Sequence, residues 1–168
     1  MTDHEGQLKC LSFQEPYATL IVLGHKTIEC RTRSIQTPIK DLVVCASKTA
    51  SAYYPIDGLA YGFAIGLVDV VDREPFTKGH REAAMMSRMP DKKSNAWKLE
   101  NARLIKPFPV KATASFFYVE HEIEVLSTNR QAYFEHYSDI IVNDDNLATE
   151  SIEAFFGDLG ELWEMFAL

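Results

Sequence analysis

Short β-branched runs broken by glycine and proline set the narrowest limit on how this chain can fold. Leu8 to Phe13 is a short apolar stretch. Asp41 to Ser47 (DLVVCAS) reads as a buried strand, and Tyr61 to Val71 as a longer one with Gly62 and Gly66 inside it. Glycines in strand interiors often mark bulges or barrel bends. Trp97 to Ile105 and Lys111 to Val119 read as two more strands, and the intervening Pro107-Phe108-Pro109 predicts a break in pairing. Residues 77–89 predict a short helix whose Met85, Met86 and Met89 belong to the core. This succession suits an α+β chain built on a small open β-barrel with flanking helices, rather than a doubly wound sheet.

The most informative local stretch runs from Gln14 to Arg33. Pro16 suits a first helical position, Glu15 suits the positive helix start, and Gly24 suits the C-terminal stop. Apolar residues at 17, 20, 21 and 23 then give one buried face to a helix over about 15–23. Thr27 to Arg33 alternates as a strand, with Thr27, Glu29, Arg31 and Arg33 on one face and Ile28 and Cys30 on the other. Gly24 turns the chain sharply, which places Lys26 at the mouth of the turn. Its ammonium can there meet a phosphate or carbonyl. Arg31 offers a planar fork suited to bidentate phosphate or base-edge contacts, and Arg33 shares its face. Lys48, after the Asp41–Ser47 strand, is placed to close such a cleft from the other side.

Charge divides the chain in two. Residues 1–119 hold 16 Lys+Arg against 12 Asp+Glu, a net of +4, whereas residues 120–168 hold 12 acids and only Arg130, a net of -11. A mildly basic body with an acidic appendage follows, and neither is described by the overall -7. The acidic segment is not composed like a disordered tail, because it carries seven of the 19 aromatic residues. Thr128-x-x-Gln131 opens a stripe of Tyr133, Tyr137, Ile140 and Ile141, and a second stripe runs through Ile152, Phe155, Phe156, Leu159, Leu162, Trp163 and Phe166. Two amphipathic helices are expected to pack on the barrel through these stripes, or else to form a dimer or partner interface.

With 46% hydrophobic and 24% charged residues, the composition is that of a globular protein. Cys10, Cys30 and Cys45 form no CxxC pair, and His80, His121 and His136 lack paired spacing. No disulfide framework, metal site or cofactor is expected, and a reducing, cytoplasmic setting fits. The start has no basic region followed by an apolar one, so no signal peptide is expected, and no apolar run approaches the about 20 residues that span a bilayer.

From Leu11-Ser12-Phe13-Gln14-Glu15-Pro16-Tyr17-Ala18 through Gly24-His25-Lys26-Thr27-Ile28-Glu29-Cys30-Arg31, the chain closely resembles the ASCH family, whose fold is similar to the PUA RNA-binding domain. The family signature G-x-K-x-x-x-x-R is met by Gly24, Lys26 and Arg31, and the subgroup form G-x-K-x-x-E-x-R also takes in Glu29. Ala96 to Asn101 and Pro107 to Lys111 are similar to further family elements, so the resemblance covers about residues 8–119. Residues 120–168 carry no such resemblance. The resemblance implies an ASCH (PUA-like) domain over 1–119 with the signature lining a cleft, and an association with RNA, nucleotides or modified nucleosides. Residues 120–168 are then an acidic helical extension.

Three functions are weighed on this basis. In the first, the cleft binds RNA, a nucleotide or a modified nucleoside through Gly24, Lys26, Arg31, Arg33 and Lys48, with Trp97 or Tyr17 as a stacking platform. The second is a small hydrolase. Some ASCH proteins remove the acyl group from 4-acetylcytidine, and ribonuclease activity is also associated with the family. That hydrolase subgroup uses a Lys, a Thr three positions later and a downstream Glu. Lys26 matches, but Glu29 stands in the Thr position, Thr27 is the adjacent hydroxyl, and Glu82 is the nearest downstream acid. Lys26 would then stabilise an oxyanion and Glu29 act as base. Ser47 beside Lys48 resembles a nucleophile–base pair only superficially, since neighbouring strand residues point to opposite faces. The third is an adaptor whose acidic helices dock a protein partner.

Overall fold

The computed structural model describes residues 4–48 and 59–126. The elements in chain order are β1 (Leu8–Phe13), α1 (Tyr17–Val22), β2 (Ile28–Arg31), β3 (Ile39–Ala46), β4 (Phe63–Pro75), a 3-10 turn (Lys78–His80), β5 (Asn95–Pro109) and β6 (Phe117–Val119). All six strands join one sheet in the order β2-β5-β4-β3-β1-β6. β1 and β3 run parallel and every other pair is antiparallel. The sheet curls into a half-barrel. Its opposite margins meet through a side chain instead of a ladder: Arg31 on β2 donates from Nη2 to the Ser12 carbonyl on β1 at 3.1 Å.

Alternation along the strands sends side chains to two cores. On one face Leu11, Phe13, Val44, Ile65, Val68, Trp97 and Leu104 pack with Ala18, Ile21 and Val22 of α1. On the other, Cys10, Val43, Cys45, Leu67, Ile105 and Phe108 are covered by Leu8, Phe117, Val119 and Ile123. All three cysteines are free thiols. α1 is buried at every residue from Ala18 to Val22, so it is a core plug and not the one-faced helix that its spacing predicts. It fits because β4 offers Gly66, where a Cβ would clash with Val22 and lie 2.6 Å from the Arg103 carbonyl oxygen.

The helix is shorter than 15–23 because Pro16 stands at the N-cap and not at the first helical position. Behind it, Glu15 is fully buried, and its carboxyl accepts from the Thr19 N–H at 3.1 Å and the Thr19 hydroxyl at 2.8 Å. Gly24, at φ +82°, ends the helix as expected: Gly24 N–H donates to Ile21 O and His25 N–H to Leu20 O.

Three further expectations need correction. Residues 77–89 form no α-helix. The Thr77 N–H donates to His80 Nδ1 in a capping box, the turn ends after one 3-10 stretch, and Met85 takes φ +57°. Met85 and Met86 are half-buried against two small satellite clusters, while Met89 is exposed. Second, Pro107 and Pro109 do not interrupt β5. Leu104 to Phe108 oppose only Gly66 to Ala64 of β4, so Pro107 falls in a bulge where no ladder N–H is required, and Pro109 ends the strand. Third, only Phe117–Val119 of the stretch 111–119 is strand.

The first residues of the acidic segment extend the sheet's surroundings. Lys106 N–H donates to Glu124 O, Leu126 N–H to Leu104 O, and Leu126 packs on the larger core. The two amphipathic stripes from Tyr133 to Phe166 lie outside the described residues.

Glu15 gives the fold a pH dependence. Burial raises its pKa from 4.5 to about 8, against the lowering influence of the Thr19 bonds. A folded-state pKa above the unfolded value means that the native state holds the extra proton between those limits, so this contribution falls as pH rises from about 4.5 to about 8. Glu15→Gln should flatten that decline, measured by chemical denaturation at pH 5 and about pH 8.

Candidate functional site

A cleft of about 1120 Å³ opens along the seam between β1 and β2. Its floor is Ser12, Phe13 and Tyr17 from the β1–α1 passage, with Lys26, Glu29, Cys30 and Arg31 from the turn and β2. Three segments form the rim: Ser47 and Lys48 after β3, Pro90 to Lys92 before β5, and Val110 to Ala114 after β5.

The Schellman turn at Gly24 folds Lys26 back beneath the chain, so Lys26 is 4% exposed and does not stand at the mouth of the turn. An ammonium has three protons to donate. Here Nζ reaches Ile28 O at 2.7 Å, Ala84 O at 2.7 Å and Glu29 Oε2 at 3.6 Å. The first two bonds tie the start of β2 to the 76–94 segment, to which Thr27 and Ile28 also donate through Ala83 O. Burial lowers the Lys26 pKa, and the Glu29 carboxylate opposes that lowering. Glu29 in turn accepts from Arg31 Nε at 3.0 Å. The Arg31 guanidinium lies 5.1 Å from the Phe13 ring centre and 5.9 Å from that of Trp97. The signature's charged side chains are thus one Lys–Glu–Arg relay, bonded internally and built into the seam.

The remaining cations behave differently. Among the described residues Lys48, Lys92 and Lys111 line the cleft without an ion-pair partner, and Lys48 and Lys111 are well exposed. With Lys26 and Arg31 they set five cationic side chains against the carboxylates of Glu29 and Asp91. The Ser12 hydroxyl is buried with no hydrogen-bond partner. Such an orphan is uncommon in a native interior.

Several expected site residues stand elsewhere. Trp97 is 1% exposed, donates from Nε1 to Arg33 O, and is absent from the cleft, so it is a core residue and cannot stack a ligand base there. Arg33 is exposed beyond the cleft, over Phe116. Gly24 shapes the turn without lining the cleft, and Thr27 and Glu82 are both exposed outside it. Tyr17 does line it, half-buried, with Lys26 Nζ 5.5 Å from its ring centre. Ser47 and Lys48 both face it because β3 ends at Ala46, where strand alternation stops applying. Sequence reasoning missed Ser12, Asp91, Lys92 and Lys111. The first sits within the family-like stretch Leu11 to Ala18, and Lys111 closes the stretch Pro107 to Lys111, but no spacing relates them to Lys26.

The relay has a measurable consequence. Lys26→Ala takes the donor from the buried Ala84 carbonyl and the part-buried Ile28 carbonyl, and removes one of the two cations beside Glu29. The cost is about 3 kcal/mol or more, since breaking a buried pair is far more damaging than losing an exposed one. Thermal unfolding of this variant beside Lys48→Ala should show a large drop for the first and almost none for the second.

Among the described residues no helix is long and apolar enough to cross a membrane, and no group of His, Cys, Asp or Glu could hold a metal ion. The solved structure of a serine-to-alanine variant of the ASCH protein from Zymomonas mobilis matches this fold with a TM-score of 0.50 at 15% identity, covering 83% of this chain and 99% of that one. The unaltered Zymomonas mobilis ASCH protein matches with a TM-score of 0.45 at 16% identity, over 80% and 96% of the two chains. No curated protein matches the chain. The family model for the ASCH domain matches residues 11–109, more than half of the sequence. The chain accordingly belongs to the ASCH family, a PUA-like fold generally linked to RNA binding.

Proposed function

We propose that the cleft binds RNA, a nucleotide or a modified nucleoside, with phosphates on Lys48, Lys92 and Lys111 and a base against the floor. One observation carries this reading: three lysines without ionic partners among the described residues converge on a cleft whose floor charges are already paired with one another. The volume exceeds the roughly 300–1,000 Å³ of a drug-sized pocket, which leaves room for more than one nucleotide. At the floor, Glu29 has lone pairs beyond those used by Arg31 and Lys26, and the orphan Ser12 hydroxyl can donate or accept. Such a mixture suits a base edge better than a second phosphate, which Glu29 would repel. The Tyr17 ring offers a partial stacking surface.

The hydrolase alternative would use Lys26 and Glu29. It draws less support from the geometry, because the Lys26 protons already have acceptors and neither Thr27 nor Glu82 reaches the cleft. The adaptor alternative rests on the acidic stripes beyond Leu126.

Binding of a short oligouridylate, followed by fluorescence anisotropy across a salt series, tests the reading. Each lysine that neutralises a phosphate contributes about 0.7 to the log–log salt slope for a single strand. Lys48→Ala and Lys111→Ala should each weaken binding and lower the slope by about that amount, with unfolding unchanged. Affinity and slope equal to those of the unaltered protein in both variants would refute it.

A further inference from the structure

Outside the cleft the chain carries a second basic and aromatic cluster. The half-buried Phe116 ring has Lys9 Nζ at 4.4 Å from its centre and the Arg33 guanidinium at 5.2 Å. Its plane lies 6° from that of Trp97, with the ring centres 6.2 Å apart, so the buried indole fixes the phenyl ring in place. Three elements build this arrangement: Lys9 comes from β1, Arg33 follows β2, and Phe116 precedes β6. Among the described residues neither cation has a carboxylate partner, although carboxylates claim Lys26, Arg31, Lys98 and Arg103 elsewhere.

The cluster also continues the cleft. Phe116 is two residues beyond Ala114, and Arg33 follows Thr32, both of which line the cleft. Two residues of chain span at most about 7 Å, a step that a nucleotide adjoining a cleft-bound one can take. An aromatic ring flanked by cations is the combination by which single strands are held without base selectivity, the ring or guanidinium plane stacking a base and the cations meeting the backbone.

We propose that Phe116, Lys9 and Arg33 form a second subsite, beside the cleft, that takes the neighbouring nucleotide of a single-stranded RNA. The subsite rests on the cleft's binding a nucleotide, and it removes Arg33 from the cleft itself. A single nucleotide would then occupy the cleft alone, whereas a strand of several would engage both.

The test uses the full chain with uridine monophosphate and a uridine tetranucleotide as probes. Arg33→Gln combined with Lys9→Gln should weaken tetranucleotide binding by about fivefold or more and reduce its salt slope by about 0.7 per charge removed. Uridine monophosphate binding should stay within about twofold of the unaltered protein. Phe116→Leu, which keeps an apolar side chain against Trp97, should weaken the tetranucleotide alone. Equal losses for both probes would mean that the cluster supports the cleft structurally, and no loss for either would mean that it touches no ligand. Both results overturn the subsite. Should Lys48→Ala and Lys111→Ala leave uridine monophosphate binding intact, the cleft reading itself fails, and the subsite as its neighbour falls with it.

Discussion

The buried Lys26 ammonium holds together the parts that make the cleft. Its two carbonyl acceptors belong to segments far apart in sequence, Ile28 opening β2 and Ala84 in the turn-rich stretch before β5. That stretch has only a single 3-10 turn of regular structure, so its path depends on such tethers. The capping box of Thr77 and His80 is one, His80 Nε2 against Glu74 at 2.6 Å is another, and Lys98 supports the same carboxylate at 3.2 Å. These bonds set where Pro90 to Lys92 approach the floor. A buried charge of this kind is expensive to strand and weakly stabilising when satisfied, so its value is in fixing one arrangement of the chain.

The seam explains why the signature and the proposed ligand contacts separate. A half-barrel of this strand order leaves the upper end of β1 uncovered, because β6 pairs only with Leu8 to Cys10. Arg31 spans the gap to Ser12, and Glu29 orients Arg31 through its Nε. The Gly-Lys-Glu-Arg pattern therefore closes the barrel and presents its remaining hydrogen-bonding capacity to whatever lies in the gap. In the proposed function, long-range attraction for a polyanion is left to the exposed lysines on the rim. A net charge of -7 hides this, since half of the 24 acids fall in residues 120–168, while five cationic side chains line the cleft.

Much of the fold was legible from local chemistry. Gly24 marked the helix end because only a residue tolerant of positive φ completes that turn, and β-branched runs marked β3 and β4. Lys26, Glu29 and Arg31, which the signature groups by spacing, bond to one another in the seam. What local reasoning missed was set by tertiary structure. Pro107 reads as a breaker until a bulge of five residues, Leu104 to Phe108, against three, Gly66 to Ala64, removes the need for an N–H there. Trp97 reads as a platform until pairing with Glu29 and stacking on Phe116 bury it. Residues 77–89 have helical spacing, but a side-chain cap from His80 and the left-handed Met85 end the turn early. Lys92 and Lys111 join the cleft because they flank β5, whose start at Asn95 pairs with Arg31 of β2 and whose end at Pro109 pairs with Phe63 of β4, a relation that no spacing in the sequence encodes.

The central claim is that the seam between β1 and β2 is the ligand site, with Lys26 as its internal tie and the rim lysines as its contacts. Amide chemical-shift mapping during titration with a short uridine oligonucleotide tests it most directly. The account predicts saturable shifts concentrated at residues 12–17, 29–33, 47–48, 90–94 and 110–116, with little change along the outer stretch of β4 and β5 near Asp69 and Arg103. Shifts confined to that outer stretch, or the absence of any saturable shift at the seam, would contradict it.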